Sequence, residues 1–342
     1  MCVSPDIDIS ENLLAEEEPE VLRLLLKDHN TSRSEGGREV EYHAIIWATD
    51  DYAALGEGYG FHDEIRPELI TGPERGKVIR PRVLKERGRQ AARSKGMAEV
   101  FTPAWVCNAQ NNLVDEAWFG RKDVFNSPDP ADPRRWVPSP APVTCFPEGK
   151  TWLDYVRAER LEITCGEAPY LTSRYDTTTG RPIPLAERVG LLDRKLRLVG
   201  ENCHAPAAWQ RAAREAYRST YAYEWQGDNL LLAREALYYT YLEAYRAKFG
   251  EEPRAASRRS IAYVISWNVW QMDGLRCVVP GSCERAAAQR TAAPGIFGDF
   301  VGGEPVTCHG CERGEKTGHL GVSCNIKDWK RDKTILFTQL MP

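Results

Sequence analysis

Three acidic side chains occupy comparable places along the chain: Glu162 in RLEITCGEAPYL, Glu224 in YAYEWQGDNLLLAR and Asp273 in NVWQMDGL. Each follows an apolar run and precedes a turn or the start of a helix. In an open α/β sheet, strand ends of this kind form a rim where carboxylates accept hydrogen bonds from ribose hydroxyls or an amine. Gly166, in the first turn, lets backbone come close to such a ligand. Together and in order, the three acids predict a nucleoside-type cofactor. A second cluster lies in VTCHGCERGEKTGHLGVSCNIKDW. Cys308-x-x-Cys311 supplies the tight knuckle that lets two thiolates reach one ion, and His319 and Cys324 could complete a tetrahedral structural zinc site, with Cys277 and Cys283 as spare ligands. Free thiols packing a hairpin are the alternative. No acidic residue is placed to work on a metal-bound water, so the pattern does not suggest catalytic zinc.

The elements that must position these groups can be read from periodicity and punctuation. Tyr155 to Thr164 leads into the glycine-containing turn, and Thr220 to Trp225 is a β-prone run ending in an acid. Asp228 fits the N-cap of a helix running to about Lys248, with Leu231, Ala233, Leu237, Tyr241 and Ala244 available for a buried stripe. Ile261 to Val269 is apolar and could be strand or helix. Upstream, YHAIIWATDDY from Tyr42 predicts a buried strand with polar side chains at its C-terminal end. Residues 1–40 are acidic, then polar, which suggests a peripheral or mobile segment with one short helix at Glu20 to Lys27. Residues 127–148 contain seven prolines and predict a loop or linker.

Composition bounds the function. The 342 residues carry 45 basic and 49 acidic side chains, with no apolar run near the length needed to span a bilayer. The net charge of -4 excludes indiscriminate binding to nucleic acid. Any such site must be a local patch, and Arg75 to Lys95 is the strongest one, with nine basic residues and a single acid. It is either a solvated face or a phosphate-binding edge. Ten cysteines without a recognisable secretory signal predict a cytoplasmic protein with reduced thiols.

The run MAEVFTPAWVCNAQNNLVDEAW (Met97 to Trp118) resembles the "FTP" cofactor motif of adenine-specific DNA methyltransferases, the modification subunits of restriction systems. LEITCGEAPYL resembles their Asp-Pro-Ala-Cys-Gly-x-Gly motif, with Glu162 for the acid, Cys165 and Gly166 retained, and Ala168 where the second glycine usually stands. YAYEWQGDNLLLAREAL is similar to their second motif, and NVWQMDGL to their third. The matches follow the family's order over about half the chain, and the whole chain looks like short bacterial and phage proteins known as restriction endonuclease subunit M. The resemblance implies an α/β, Rossmann-like S-adenosylmethionine-dependent methyltransferase fold with a small Cys/His tail. It implies S-adenosylmethionine as cofactor, held by Phe101, Thr102, Pro103, Glu162, Cys165, Gly166, Glu224 on the ribose hydroxyls, and Asp273 at the adenine amine. DNA would be the substrate, and a specificity or restriction subunit a partner.

The chain departs from that pattern at the catalytic peptide. The family carries Asn/Asp-Pro-Pro-Tyr/Phe, whose polar groups accept hydrogen bonds from the amine of a flipped-out adenine while the aromatic ring stacks on the base. No such tetrapeptide exists here. Glu304 to Thr307 in GDFVGGEPVT is the downstream candidate, read more simply as a Gly-rich loop. A permuted order would use Thr49 to Tyr52, with Asp50, Asp51 and Tyr52 as the catalytic groups, read more simply as a capped strand end. The expected organisation is an N-terminal region (1–96), a cofactor-binding domain (97–290) and a Cys/His-containing tail (291–342). Little room is left after Asp273 for a catalytic half and a DNA-recognition domain, so activity is expected to need a partner.

Overall fold

The computed structural model describes residues 11–36, 38–85, 93, 101–291 and 306–341. In chain order, helices α1 (Glu11–Glu17) and α2 (Pro19–Leu26) precede a hairpin of β1 (Arg33–Glu35) and β2 (Arg38–Glu41); α3 (Pro67–Ile70) and α4 (Ala104–Phe119) lead to a second hairpin of β3 (Asn126–Asp129) and β4 (Asp132–Pro138). Next come α5 (Trp152–Val156), β5 (Arg160–Glu162), α6 (Leu191–Asn202), α7 (Pro206–Arg218), β6 (Thr220–Glu224), α8 (Gly227–Phe249), α9 (Ala255–Asn268) and β7 (Val269–Gln271). The C-terminal part holds α10 (Ser282–Thr291), α11 (His309–Arg313) and a hairpin of β8 (Asn325–Asp328) and β9 (Lys333–Leu336).

Strands β5, β6 and β7 lie side by side in that order, all parallel, with Glu162 opposite Ala222 and Glu224 opposite Gln271. Parallel neighbours need long crossovers, and helix pairs α6–α7 and α8–α9 supply them. Strands β6 and β7 are covered on both faces, as strands of parallel sheets are, whereas the edge strand β5 leaves Leu161 exposed. Ala222 and Val269 face the main core, whereas the next residues along, Tyr223 and Trp270, face a second cluster with Met272, Cys277, Val279, Cys324, Ile326 and Phe337. One face is therefore covered by helices and the other by the C-terminal hairpin. The architecture is mixed α/β with a three-stranded parallel sheet. No helix among the described residues is long and apolar enough to cross a membrane.

Several local expectations change. The ambiguous segment before Asp273 is both: helix α9 runs to Asn268 and strand β7 follows at once. Residues 44–49 are buried but join no named sheet. The Gln271 side chain takes a strand's place beside them: Ile46 N–H donates to its Oε1 (2.9 Å), and its Nε2 donates to Ile46 O (2.8 Å). Helix α2 is integral rather than peripheral, burying Val21, Leu22, Leu25 and Leu26. The buried Arg234 guanidinium donates to Leu25 O and Lys27 O at its C-terminal end, satisfying carbonyls the helix leaves open. The proline-rich segment begins with the β3–β4 hairpin, which tolerates Pro128, Pro133 and Pro138 because a two-stranded ribbon consists only of edges.

Candidate functional site

A cavity of about 850 Å³ opens at the C-terminal ends of β5 and β6. Its wall includes Phe101, Thr102, Glu162, Cys165, Gly166 and Glu224, which the sequence places in three separate motifs. Parallel strands bring Glu162 and Glu224 to the same rim because each is the last residue of its strand. Phe101 and Thr102 arrive from the other side, where Pro103 caps α4 and its carbonyl accepts the N–H groups of Val106 and Cys107. Pro103 itself does not line the cavity.

The loop after β5 holds the backbone in an unusual course. Thr164, Gly166 and Ala168 have φ of 45°, 55° and 57°. Only Gly adopts this region without cost, so Thr164 and Ala168 carry local strain of a kind that gathers at ligand sites. Ala48, another cavity residue, also has a positive φ, 51°. Gly166 is needed for its conformation rather than for space, since a Cβ there would meet the Phe101 ring at an ordinary 3.6 Å.

Both carboxylates are buried, and neither has a cationic partner among the described residues. Glu224 Oε2 accepts Gly166 N–H (2.9 Å) and Oε1 accepts Gln226 N–H (3.2 Å). Glu162 Oε1 has a long contact with Tyr170 N–H (3.4 Å), the neighbouring Leu171 N–H also faces the carboxyl, and Oε2 has no hydrogen-bond partner among the described residues. Burial pushes both carboxyls upward, Glu162 well above the usual carboxylate range. Around them, Leu161, Ile163 and Val114 are apolar cavity residues left exposed, Ile163 at 61%. Acceptors set among uncovered apolar side chains suit a ligand with a flat or apolar body and a few hydroxyl or amine donors. One face of α4 completes the wall through Gln110, Asn111 and Val114. Sequence reading missed these three, although their spacing after the FTP motif puts them on one helical face.

The remaining predicted residues lie elsewhere. Asp273 does not line the cavity: its Oδ1 accepts the N–H groups of Leu275 (2.9 Å) and Arg276 (3.2 Å), a turn-capping role. Tyr52 is a core residue, 1% exposed, packed on Trp47 with its hydroxyl donating to Asp228 (2.7 Å). It offers no ring face to a base. Asp51 pairs with Arg93 (3.1 Å), and Asp50 accepts Phe61 N–H (3.1 Å). Glu304 and Pro305 lie outside the described residues.

Asp228 is not an N-cap, which is Gln226. It is fully buried and receives Lys85 Nζ (2.9 Å) and Arg93 Nη1 (2.8 Å) as well as Tyr52. Burial alone would raise its pKa, but Lys85 and Arg93 outweigh that and hold the carboxyl far below its usual value. Two cations of the basic segment thus point inward, away from any phosphate. Residues 86–92, 94 and 95 of that segment lie outside the described residues.

The second centre is a group of three cysteines and one histidine that could hold a metal such as zinc: Cys283, Cys308, Cys311 and His319, with ligand atoms all within 4.8 Å of one another. His319 Nδ1 is 3.7, 3.6 and 3.6 Å from the three sulfurs in that order. A tetrahedral zinc with ordinary bond lengths implies a nitrogen–sulfur separation of about 3.6 Å. His319 Nε2 meets Glu315 O (2.8 Å), the outer contact that leaves Nδ1 free as the ligand nitrogen. Leu320 N–H points at Cys308 Sγ (3.3 Å). Partial burial pushes the Cys308 thiol up, but that N–H, the Cys311 backbone and His319 bring it down to about 6. The fourth member of the group is therefore Cys283, not Cys324. Residues 277–279 run antiparallel to 322–324, which turns Cys324 into the sheet-side core, where its Sγ contacts Gln271 O (3.5 Å). Comparison of the chain with protein-family models, with curated proteins and with solved structures finds no match.

Proposed function

We propose that the cavity at the ends of β5 and β6 binds S-adenosylmethionine, in a Rossmann-like methyltransferase fold, and that the protein is an adenine-specific DNA methyltransferase subunit working with a partner chain. The observation that carries this reading is the convergence of Phe101 and Thr102 with Glu162, Gly166 and Glu224 on one cavity. Ala168 strengthens it. This alanine stands where the related motif has its second glycine, and its φ of 57° gives the backbone the course a glycine would. The orphaned Glu162 Oε2 is a buried acceptor awaiting a donor, which the cofactor's hydroxyls or amines would provide.

Bound S-adenosylmethionine would supply a methyl group activated on a sulfonium. The chain's residues would bind and orient: Glu224 accepting ribose hydroxyls, Glu162 accepting a further donor, and Leu161, Ile163 and Val114 excluding water from the apolar parts. The partner is invoked because the chain has no Asn/Asp-Pro-Pro-aromatic peptide and because Tyr52 is committed to Asp228. We further propose that the ion of the cysteine–histidine group is a structural zinc. Calorimetry with S-adenosylmethionine tests the cofactor reading first, and absence of binding at submillimolar concentration sinks it. Transfer of labelled methyl to mixed-sequence DNA, with and without the products of neighbouring genes, then separates a complete enzyme from a subunit. Cofactor binding without transfer under either condition would favour an accessory protein that kept the fold without the chemistry.

A further inference from the structure

The metal centre and the cavity meet across the first turn of α10. Cys283 is the second residue of that helix, and Gly281 stands just before it with φ 66°. Gly281 approaches residues 61 and 62 so closely that a Cβ on it would lie 2.4 Å from His62 Cε1 and 2.8 Å from Phe61 Cε1. Phe61 lines the cavity beside Trp225, their ring centroids 6.4 Å apart. Its carbonyl accepts Ala48 N–H (2.9 Å), and Ala48 is itself a cavity residue. On the other side of the turn, Ser282 Oγ accepts Val322 N–H (3.1 Å), and a Cβ on Gly321 would lie 2.3 Å from that same oxygen. The turn is a wedge between the metal-binding segment and the cavity wall, with glycine on each side allowing close approach.

We propose that an ion held by Cys283, Cys308, Cys311 and His319 fixes this wedge and thereby sets the position of Phe61 in the cavity wall through the 61–62 backbone, so that metal occupancy governs the affinity of the cavity for its nucleoside ligand. This rests on the cofactor and zinc readings above. The physical reason is directness. Coordination ties Cys283 to the 308–319 segment, and only Gly281 and Ser282 separate that ligand from contact with the wall. Close-packed elements move in discrete steps rather than deform smoothly, so releasing the turn moves the wall with it.

The test uses the full-length chain with its ion, after chelation, and after cobalt substitution. Metal analysis should give one ion per chain in the wild type and in Cys324→Ser and none in Cys283→Ser, with the thiolate–cobalt absorption following the same pattern. Chelation should speed hydrogen exchange of the 58–64 backbone amides and weaken S-adenosylmethionine binding by about thirtyfold, the middle of the range for coupled sites. Gly281→Ala keeps all four ligands but drives a methyl group into His62; it should retain the ion while altering exchange at 58–64, and it decides the matter if chelation unfolds the whole chain. Unchanged exchange at 58–64 in both the metal-free protein and Gly281→Ala overturns the proposal, as does a chain that binds no ion. If S-adenosylmethionine binds neither form, the cofactor reading fails while the exchange result still decides the clamp.

Discussion

Glu224 and Asp228 are four residues apart, both buried, yet they live in opposite electrostatic surroundings. Asp228 is met by Lys85, Arg93 and the Tyr52 hydroxyl, and is held ionised far below its usual range. Glu224, like Glu162 across the rim, is offered only backbone N–H groups and is pushed upward by burial. A buried carboxylate with two cations is a structural fastener. A buried carboxylate with unfilled acceptor capacity, beside exposed apolar side chains and strained backbone, is the arrangement on which the cofactor proposal rests. The contrast also takes two cations of the basic segment, Lys85 and Arg93, out of any phosphate-binding edge, since they neutralise Asp228.

The largest effect should come from breaking the fastener. Asp228→Ala removes the buried carboxylate that Lys85 and Arg93 share and should cost about 3–5 kcal/mol of stability, read by chemical denaturation. Lys85→Met should be strongly non-additive with it, because the two remove one network. Additive losses would show that the cluster does not act as a unit. Glu224→Ala should shift the balance the other way, costing only about 0.5–2 kcal/mol of stability through the Gly166 and Gln226 N–H groups but losing S-adenosylmethionine affinity about 10- to 150-fold, the worth of a buried charged acceptor of about 1.5–3 kcal/mol. Unchanged affinity on calorimetry would remove Glu224 from the site.

A smaller effect should appear at Glu162 and depend on pH. Its folded pKa lies well above the ordinary 4.5 because of burial. A raised carboxyl contributes stability at low pH that is lost as pH climbs from the ordinary value through the folded one. In the ligand-free protein, Glu162→Gln should therefore match the wild type near pH 4 and exceed it by about 1–3 kcal/mol at pH 8, the cost of a buried group left unsatisfied. Thermal denaturation across that range checks it; parallel curves would mean that Glu162 has a donor in solution.

How far the sequence revealed this arrangement follows from the range of the interactions involved. Glu162 and Glu224 at their strand ends and helix α8 were legible because each depends on its own apolar run and its neighbouring turn residues. Cys283 was not singled out over Cys324, because the choice is made by antiparallel pairing of 277–279 with 322–324, which no local pattern records. Asp228 looked like a helix cap because its partners Lys85 and Arg93 come from far away in the chain. Residues 44–49 are buried as the Tyr42–Tyr52 run suggests, but they form no named strand, because isolated bridges to Lys27 and Glu64 and the Gln271 side chain, all distant in sequence, hold them.

Asp273 is the acid on which the comparison can be drawn most finely. By resemblance it belongs with Glu162 and Glu224, whereas its geometry places it with the fasteners: Oδ1 caps the N–H groups of Leu275 and Arg276, and Oδ2 meets the Arg276 guanidinium (3.2 Å). Its carboxylate is thus satisfied without a ligand, unlike that of Glu162. Asp273→Ala should cost about 0.5–2 kcal/mol of stability, as loss of a side-chain cap does, and should leave S-adenosylmethionine affinity within about twofold. Asp273→Asn should recover most of the stability, because its carbonyl can still accept the two N–H groups. A tenfold loss of affinity in both variants would mean that Asp273 leaves its turn to reach the ligand, and that the rim carries three receptive acids rather than two.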